Sequence, residues 1–450
     1  MSSLLDPTLL ADVAERAVAA AKRAGADQAD AFAVRGVSLS VEVRDGAVEE
    51  SQRFEGDDLG LRVLVGRKQA LVSTNDLNAD GFAALAERAV AMARAAPDDR
   101  FVGLADAALL AKNPPALDLL DPDMPDVGVL ERRAREAEDA AMAVSGVSKS
   151  GGAAASAGIG GLVLVTSHGF HGGAMNSHHS ISMSAIAGNG TGMETDYDYT
   201  STLHAADLES ATTIGRSAGE RAVKRLNPRK VTTRRVPVVF DTRIAGSLIG
   251  HLANAVNGSS IARKTSFLRE KLGEQIFAPG IDIIDDPLRK RGLRSRPFDA
   301  EGVTTRMCKV VEGGVLKTWF LDSATGRELG LATTGHAHRS VSSPPSPGPS
   351  NLHLAAGSKS RDELIAEITD GFYVTDLIGA GVNLVTGDYS RGASGFWIEN
   401  GALTYAVSEV TIAGHLTEIF KSLTPANDLA FRYGTNAPTV RVEGLTVAGH

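Results

Sequence analysis

The stretch GDYSRGASGFWIENG, residues 387–401, contains the strongest turn signal in the chain. Asn400-Gly401 favours a type I′ turn, because both central residues of that turn need a positive φ. We therefore expect residues 396–399 and 402–405 to pair as antiparallel strands. The polar residues before the turn are expected to form a glycine-rich loop whose surface is shaped to receive another molecule: Asp388, Ser390, Arg391, Gly392, Ser394 and Gly395.

The length of the chain indicates more than one domain, because 450 residues exceed one ordinary core. We place the boundary after Asn227, where an Asn-Pro pair and a basic run interrupt the pattern, giving domains at 1–227 and 228–450. Helices and hairpins occur in separate runs, which favours an α+β fold. We expect an N-terminal α/β sandwich-like domain and a β-rich C-terminal domain with hairpins and a few helices.

The composition is typical of a soluble globular protein, with 43% hydrophobic and 22% charged residues. The net charge of −8 disfavours nucleic acid as the main partner. Cys308 is the only cysteine, which excludes an intrachain disulfide and fits a reducing compartment. The first residues lack a signal-peptide pattern, and no apolar run reaches the roughly 18 residues of a membrane span. We therefore expect a cytoplasmic protein that does not contact a membrane.

Capping and turn residues define most of the expected elements. The first helix is expected to be capped by Asp6, to start at Pro7 and to stop at Gly25. The other N-terminal elements expected are strands at 39–44 and 59–65, a helix from Asn78 or Asp80, helices at 127–144 and 208–226, and sheet that follows the glycine-rich segment 148–161. The C-terminal half is expected to contain a strand at 236–240, a helix from Asp241 to Asn257, a hairpin at 310–319, and a short helix that begins at the capping box Ser360–Glu363 and ends at Gly371.

Histidines are the first candidates for a metal site. His168, His171, His178 and His179 crowd one segment, but no acidic or thiol ligand lies among them. Adjacent residues on a strand also face opposite sides, so we favour surface or strand-edge positions. We interpret His336 and His338 in the same way.

The helix expected after Asp241 is the second candidate, with His251 and Asn254 as its polar residues. A zinc hydrolase helix would place two histidines and a glutamate on one face, and this helix has one histidine and no glutamate. Alone, His251 is better interpreted as a packed or hydrogen-bonded side chain.

Nucleophile and phosphate-binding patterns do not fit the chain. Ser394 lacks the G-x-S-x-G spacing, and Cys308 is expected to be a small core or strand residue. The basic runs at 224–235 and 289–296 lack interleaved aromatics, which favours salt bridges or partner contacts. From the residues alone, the chain contains no self-contained active site.

A series of motifs nevertheless resembles the TldD/PmbA family, and in particular its PmbA branch, also called TldE. These motifs are SFL at 266–268, DDP at 285–287, RPFDAEG at 296–302, VLKTW at 315–319, TGH at 334–336 and PSNL at 349–352. The resemblance extends over nearly the whole chain. It implies a zinc metallopeptidase family, whose members also carry an older label as modulators of DNA gyrase.

The resemblance also implies that zinc chemistry is done by another chain. In the TldD branch the metal is held by an H-E-x-x-x-H helix and a C-terminal cysteine, and this chain departs at those positions. PmbA-type chains resemble the half of a heterodimer that binds no metal, while a TldD-like partner supplies zinc and the general base. The pair is implied to enclose a chamber where unfolded or extended peptides are cut.

Two alternatives remain open at this stage. The chain is either such a subunit or a stand-alone homodimer that binds peptides or regulates without peptidase activity. Arg391 either holds a peptide carboxylate or forms a salt bridge with Asp388 or Glu399. The proline-rich tract 344–349 is either a gate or a rigid connector.

Overall fold

The structure, a computed structural model, describes residues 7–449. Its N-terminal half is built on one antiparallel sheet of six strands, in the order β3-β2-β1-β4-β5-β6. The elements of this half are α1 (Pro7–Arg23), β1 (Gln28–Arg44), β2 (Ala47–Val65), β3 (Lys68–Thr74), α2 (Phe82–Ala95), α3 (Val127–Met142), β4 (Val147–Thr166), β5 (His171–Ala187), β6 (Glu194–Thr202) and α4 (Ala211–Lys224). The predicted cap of α1, Asp6, lies outside the described residues.

The four helices cover one face of this sheet in two pairs. Helices α1 and α2 pack on Ala29, Ala31 and Ala33 of β1, and α3 and α4 pack further along the same strand on Val41 and Val43. These residues alternate along β1, so they point to the same side. The other face of the sheet contacts the C-terminal half, because Phe32 and Leu164 pack against Phe298.

The C-terminal half contains two larger sheets, with α5 packed against their shared core, and a separate two-stranded sheet formed by β11 and β12. Of the two larger sheets, one has the order β16-β15-β14-β7-β19-β17, and the other has the order β10-β9-β8-β13-β18. The elements are β7 (Arg234–Phe240), α5 (Thr242–Ala255), α6 (Gly258–Ala262), β8 (Ile283–Asp285), β9 (Cys308–Glu312), β10 (Val315–Leu316), α7 (Ser323–Glu328), β11 (Ala337–His338), β12 (Ser346–Pro347), β13 (Leu352–Leu354), α8 (Arg361–Ala366), β14 (Asp370–Ile378), β15 (Asp388–Glu399), β16 (Ala402–His415), α9 (Leu416–Ser422), β17 (Thr424–Pro425), β18 (Thr435–Asn436) and β19 (Val440–Ala448). The α+β class expected from the sequence is confirmed.

The hairpin predicted at Asn400-Gly401 is confirmed. Asn400 has φ 51° and Gly401 has φ 80°, and Glu399 pairs with Ala402 across the turn. The predicted polar loop before it is wrong, because residues 388–395 belong to β15, which pairs with β14 on one side and β16 on the other. A Cβ on Gly395 would overlap the Tyr373 carbonyl, so glycine there permits the close strand approach.

Several element boundaries differ from the predictions. Helix α2 starts at Phe82 with Gly81 as its N-cap, so neither Asn78 nor Asp80 caps it. The capping box at Ser360 is confirmed, but α8 ends at Ala366, and Gly371 lies in β14. The glycine-rich segment 148–161 lies within β4, where small side chains alternate between the two faces. The proline-rich tract pairs through Ser346–Pro347 with β11.

No helix between residues 7 and 449 has both the length and the apolar character that a membrane span requires.

A buried ion cluster joins the two halves. Asp30 of β1 accepts hydrogen bonds from Arg62 of β2 at 2.7 Å and from Arg339 at 2.6 Å. All three side chains are at most 5% exposed. The carboxyls of Glu301 and Asp322 also lie close enough to Arg62 to act on its guanidinium. The cluster therefore links neighbouring strands of the N-terminal sheet to the segment after β11.

We predict that Asp30→Asn strongly destabilises the fold, because it leaves two buried arginines without their shared carboxylate. Removing one member of a buried ion pair typically costs about 3–5 kcal/mol. Urea denaturation is the measurement. Asp12→Asn is the control, since Asp12 pairs with Arg16 on an exposed helix face; its effect should stay below about 1 kcal/mol. Equal effects of the two substitutions would contradict the central role of Asp30.

We also predict that stability falls as pH rises, because of Glu301. Burial, with the nearby carboxyls of Asp299 and Asp322, raises the pKa of Glu301 to about 8. A carboxyl whose pKa is higher in the folded state contributes stability that is complete below its unfolded value of 4.5. That contribution is lost as the pH rises towards 8, at up to about 1.4 kcal/mol per pH unit.

Glu301→Gln tests this prediction, since the amide stays neutral at every pH. Urea denaturation at several pH values between 5 and 8 should show wild type losing stability relative to the variant. The exposed Glu328 provides the control substitution Glu328→Gln, which should follow wild type. Parallel curves for wild type and Glu301→Gln would contradict the prediction.

Candidate functional site

Helix α5 has one buried face and one open face. Its buried residues include Ala245, Leu248 and Leu252, which join the core shared by the two C-terminal sheets. The open face carries Ser247, Gly250, His251 and Asn254, which recur at helical spacing. A Cβ on Gly250 would meet no atom within 4 Å, so this face borders unfilled space.

The start of α5 is held in a fixed position. Asp241 caps the helix by accepting a hydrogen bond from the backbone N–H of Arg243 at 2.9 Å. The same carboxylate accepts a bond from the Tyr373 hydroxyl of β14 at 2.7 Å. The cap therefore ties α5 to the sheet that contains β15, which fixes the helix beside its candidate site residues.

Three polar atoms on α5 and β15 form a group without protein partners. Ser247 Oγ, His251 Nε2 and the Tyr389 hydroxyl are buried, and none has a hydrogen bond within the described residues. The His251 and Tyr389 rings lie 5.9 Å apart at 71°. Each unpaired buried group costs about 1–3 kcal/mol, so such groups call for an explanation. We name Ser247, His251 and Tyr389 the polar cluster.

The polar cluster is electrically neutral at pH 7. Burial, and secondarily the positive charge of Arg391, lowers the pKa of His251 to about 4. Burial raises the pKa of the Tyr389 hydroxyl above its ordinary value. The cluster thus presents two hydroxyls and an uncharged imidazole, which suit hydrogen bonds to neutral polar groups.

The structure brings only some of the predicted site residues together. His251 and Arg391 lie near each other, since the charge of Arg391 acts on the imidazole. Ser394 lies elsewhere and accepts a hydrogen bond from Arg225 at 2.9 Å. Asp388 and Ser390 are exposed on β15, and Asn254 is exposed on α5. Gly392 and Gly395 lie in the strand ladder.

Of the two alternatives considered for Arg391, the ion pair with Asp388 or Glu399 is not formed. The Arg391 Nε donates to the Ile378 carbonyl at 3.3 Å, and neither Asp388 nor Glu399 lies within ion-pair distance of its guanidinium.

The sequence analysis did not identify two residues of the polar cluster, Ser247 and Tyr389. The spacing of Ser247 and His251, four residues apart on one helix, was a usable signal. Nothing local linked either residue to Tyr389.

The histidines of the N-terminal half lie apart in separate environments. His168 contacts Thr166 at 2.7 Å and the Ala105 carbonyl at 2.9 Å. His171 lies 3.1 Å from Glu15, on the surface. His178 is exposed, while His179 is fully buried beside Asp121. His178 and His179 point to opposite sides of β5, as expected for neighbours on a strand. The surface or strand-edge position expected for these histidines is wrong for His179, and also for His336, which is buried beside Asp285.

The residues around His251 do not fit a zinc ion. A catalytic zinc site uses about three protein ligands. Between residues 7 and 449, no three histidine, cysteine, aspartate or glutamate side chains converge in a way that could hold a metal. The charged group that acts on His251 is the Arg391 cation, which would repel a divalent metal.

The chain matches sequence models for three domains of a single family. These are PmbA/TldA metallopeptidase domain 1 over residues 29–93, the central domain over 120–226, and the C-terminal domain over 233–449. The fold and these matches place the chain in a family of metallopeptidase-like proteins. The boundary that we placed after residue 227 stays a prediction.

Similar proteins over the full length identify the branch. Metalloprotease PmbA homolog of Haemophilus influenzae is 36% identical to this chain, and the match covers 96% of this chain and 95% of that protein. Metalloprotease PmbA of Escherichia coli O157:H7 is 35% identical, and the match covers 94% of this chain and 92% of that protein. A crystal structure from Bacteroides thetaiotaomicron, described as a candidate modulator of DNA gyrase, has 28% identity and a TM-score of 0.90 over 98% of both chains. The chain belongs to the PmbA/TldD family, in its PmbA branch.

We predict that Tyr389→Phe leaves the free protein as stable as wild type or more stable, by about 1 kcal/mol, because it removes an unpaired buried hydroxyl. Tyr373→Phe is the matched control. That substitution removes the bond to Asp241 and should lower the free energy of unfolding by about 2 kcal/mol. Urea denaturation of both variants measures the difference. A similar loss in both would show that Tyr389 has a structural partner.

Proposed function

We propose that the chain is the non-metal-binding subunit of a cytoplasmic metallopeptidase complex, in which a TldD-like partner supplies zinc and the general base. Membership of the PmbA branch supports the peptidase class. The observation that carries the finer proposal is the open face of α5. Its sequence TRIAGSLIGHLANA contains one histidine and no carboxylate, and the neighbouring charge is a cation.

The polar cluster is proposed to bind substrate and not to perform chemistry. Its neutral hydroxyls and imidazole match the N–H and C=O groups of a peptide main chain. Recognition through the main chain suits extended or unfolded peptides of varied sequence. Arg391, which has no carboxylate partner in the described chain, provides positive charge for an acidic side chain of the peptide.

Co-expression with a TldD-like protein tests the proposal directly. We expect the two chains to co-purify in equal amounts, with peptide cleavage that requires both. Full activity of the TldD-like protein alone would contradict the subunit role. Native mass spectrometry that shows only a homodimer of this chain would favour the stand-alone peptide-binding or regulatory protein instead.

Within such a complex, we predict that the double substitution Ser247→Ala and Tyr389→Phe lowers kcat/KM for peptides. The loss should be about tenfold or more, since each hydrogen bond contributes about 1 kcal/mol. Zinc content and assembly should be unchanged. Ser73→Ala, at an exposed serine of β3, is the control. Unchanged kcat/KM in the double variant would rule out substrate binding by the polar cluster.

A further inference from the structure

A cavity of about 280 Å³ lies between the N-terminal sheet and the segment that follows residue 294. Val34, Leu162 and Asn176 line it from β1, β4 and β5, and Arg296 and Phe298 line it from the C-terminal half. It shares no lining residue with the polar cluster. The cavity is therefore a separate site at the junction of the two halves.

Arg296 is a half-buried cation without a carboxylate partner in the described chain. Its guanidinium donates to the carbonyls of Ala337 at 2.9 Å and Gly348 at 3.4 Å, while its buried Nε has no partner. No carboxylate of the described chain lies within ion-pair distance, in contrast to Arg62, Arg339 and Arg243. Burial lowers the pKa of Arg296, because the negative charges of Asp299 and Asp285 do not offset the lost hydration.

Gly160 provides an independent observation on the sheet side of the cavity. It lies inside β4 between Gly36 and Asn176, and its φ is not in the positive range that favours glycine. An added Cβ would meet only ordinary contacts, with Asn176 Oδ1 at 3.4 Å and the Arg35 carbonyl at 3.6 Å. Neither backbone nor packing requires glycine here, and glycine weakens a strand. Its effect is to keep the cavity open.

We infer that this cavity binds a small carboxylate ligand with an apolar group, such as the C-terminal residue of a short peptide. Arg296 would pair with the carboxylate. Asn176, whose side-chain amide has no protein hydrogen bond within residues 7–449, would pair with the adjacent amide group. Val34, Leu162 and Phe298 would contact the apolar side chain. The volume lies just below the usual range of about 300–1,000 Å³ for small-molecule sites, which suits one or two residues.

The identification of the ligand as a peptide end rests on the proposed function, whereas carboxylate recognition does not. The test therefore uses the purified chain without any partner or peptidase assay. Isothermal titration would compare N-acetyl-leucine, N-acetyl-leucinamide, which lacks the carboxylate, a leucine-terminated dipeptide, and inorganic phosphate. We expect the dipeptide and N-acetyl-leucine to bind, and the amide and phosphate to bind at least about tenfold more weakly.

Two substitutions locate the binding. Arg296→Met should weaken N-acetyl-leucine binding at least about tenfold, while Arg294→Met, at an exposed arginine nearby, should leave it unchanged. Gly160→Val fills the cavity from a strand position, so it should abolish binding while the melting temperature stays equal to or above that of wild type. This second variant keeps the test decisive if Arg296→Met does not fold.

The remaining outcomes each overturn the inference. Equal binding of the amide would exclude carboxylate recognition, and equal binding of phosphate would indicate a general anion site. Absence of binding by every probe, or full binding by Gly160→Val, would exclude the cavity. A failed peptidase assay with a TldD-like partner would overturn the proposed function and leave these measurements intact.

Discussion

The relation between the two halves depends on the carboxylate of Asp30. Asp30 lies directly opposite Arg62 in the β1–β2 ladder, so one of its contacts is already set by strand register. The second contact, to Arg339, fixes the segment after β11 against the sheet. The attraction between buried charges offsets their lost hydration only when the hydrogen-bond geometry is good and the opposite charge is close. The cavity at Arg296 lies at this same junction, because the Arg296 guanidinium donates to the Ala337 carbonyl, two residues before Arg339.

Small residues determine the architecture of the N-terminal half. Alanines of β1 and β4 form part of the surface on which the helices pack, and their small side chains let the helices approach the sheet closely there. A Cβ on Gly215 of α4 would overlap the Ala137 carbonyl of α3, which shows how near these two helices lie. Helical pairs of this kind leave the opposite sheet face free for the C-terminal half.

Local signals predicted the elements whose ends are set by their own residues. The Asn400-Gly401 turn, the capping box at Ser360 and the cap at Asp241 were read correctly because each depends on a few adjacent backbone groups. The polar stretch 388–395 was misread as a loop, because its strand character comes from two neighbours, β14 and β16, distant in sequence. Of the polar cluster, the sequence indicated only His251, because the contact between His251 and Tyr389 joins residues that are far apart in sequence.

The chemistry of α5 agrees better with the proposed binding role than with a catalytic role. A general base works best when its pKa lies near the operating pH, and it must also reach the reacting water. His251 is neutral, but a pKa of about 4 makes its imidazole a poor proton acceptor at pH 7. The Arg391 charge that lowers this pKa also opposes a bound divalent cation. The low pKa of His251 and the nearby charge of Arg391 both favour a neutral polar ligand. Hydrogen bonds from such a ligand to the polar cluster need neither proton transfer nor charge compensation. Binding and catalysis therefore place opposite electrostatic demands on this helix face, and its residues agree with the binding role that we propose.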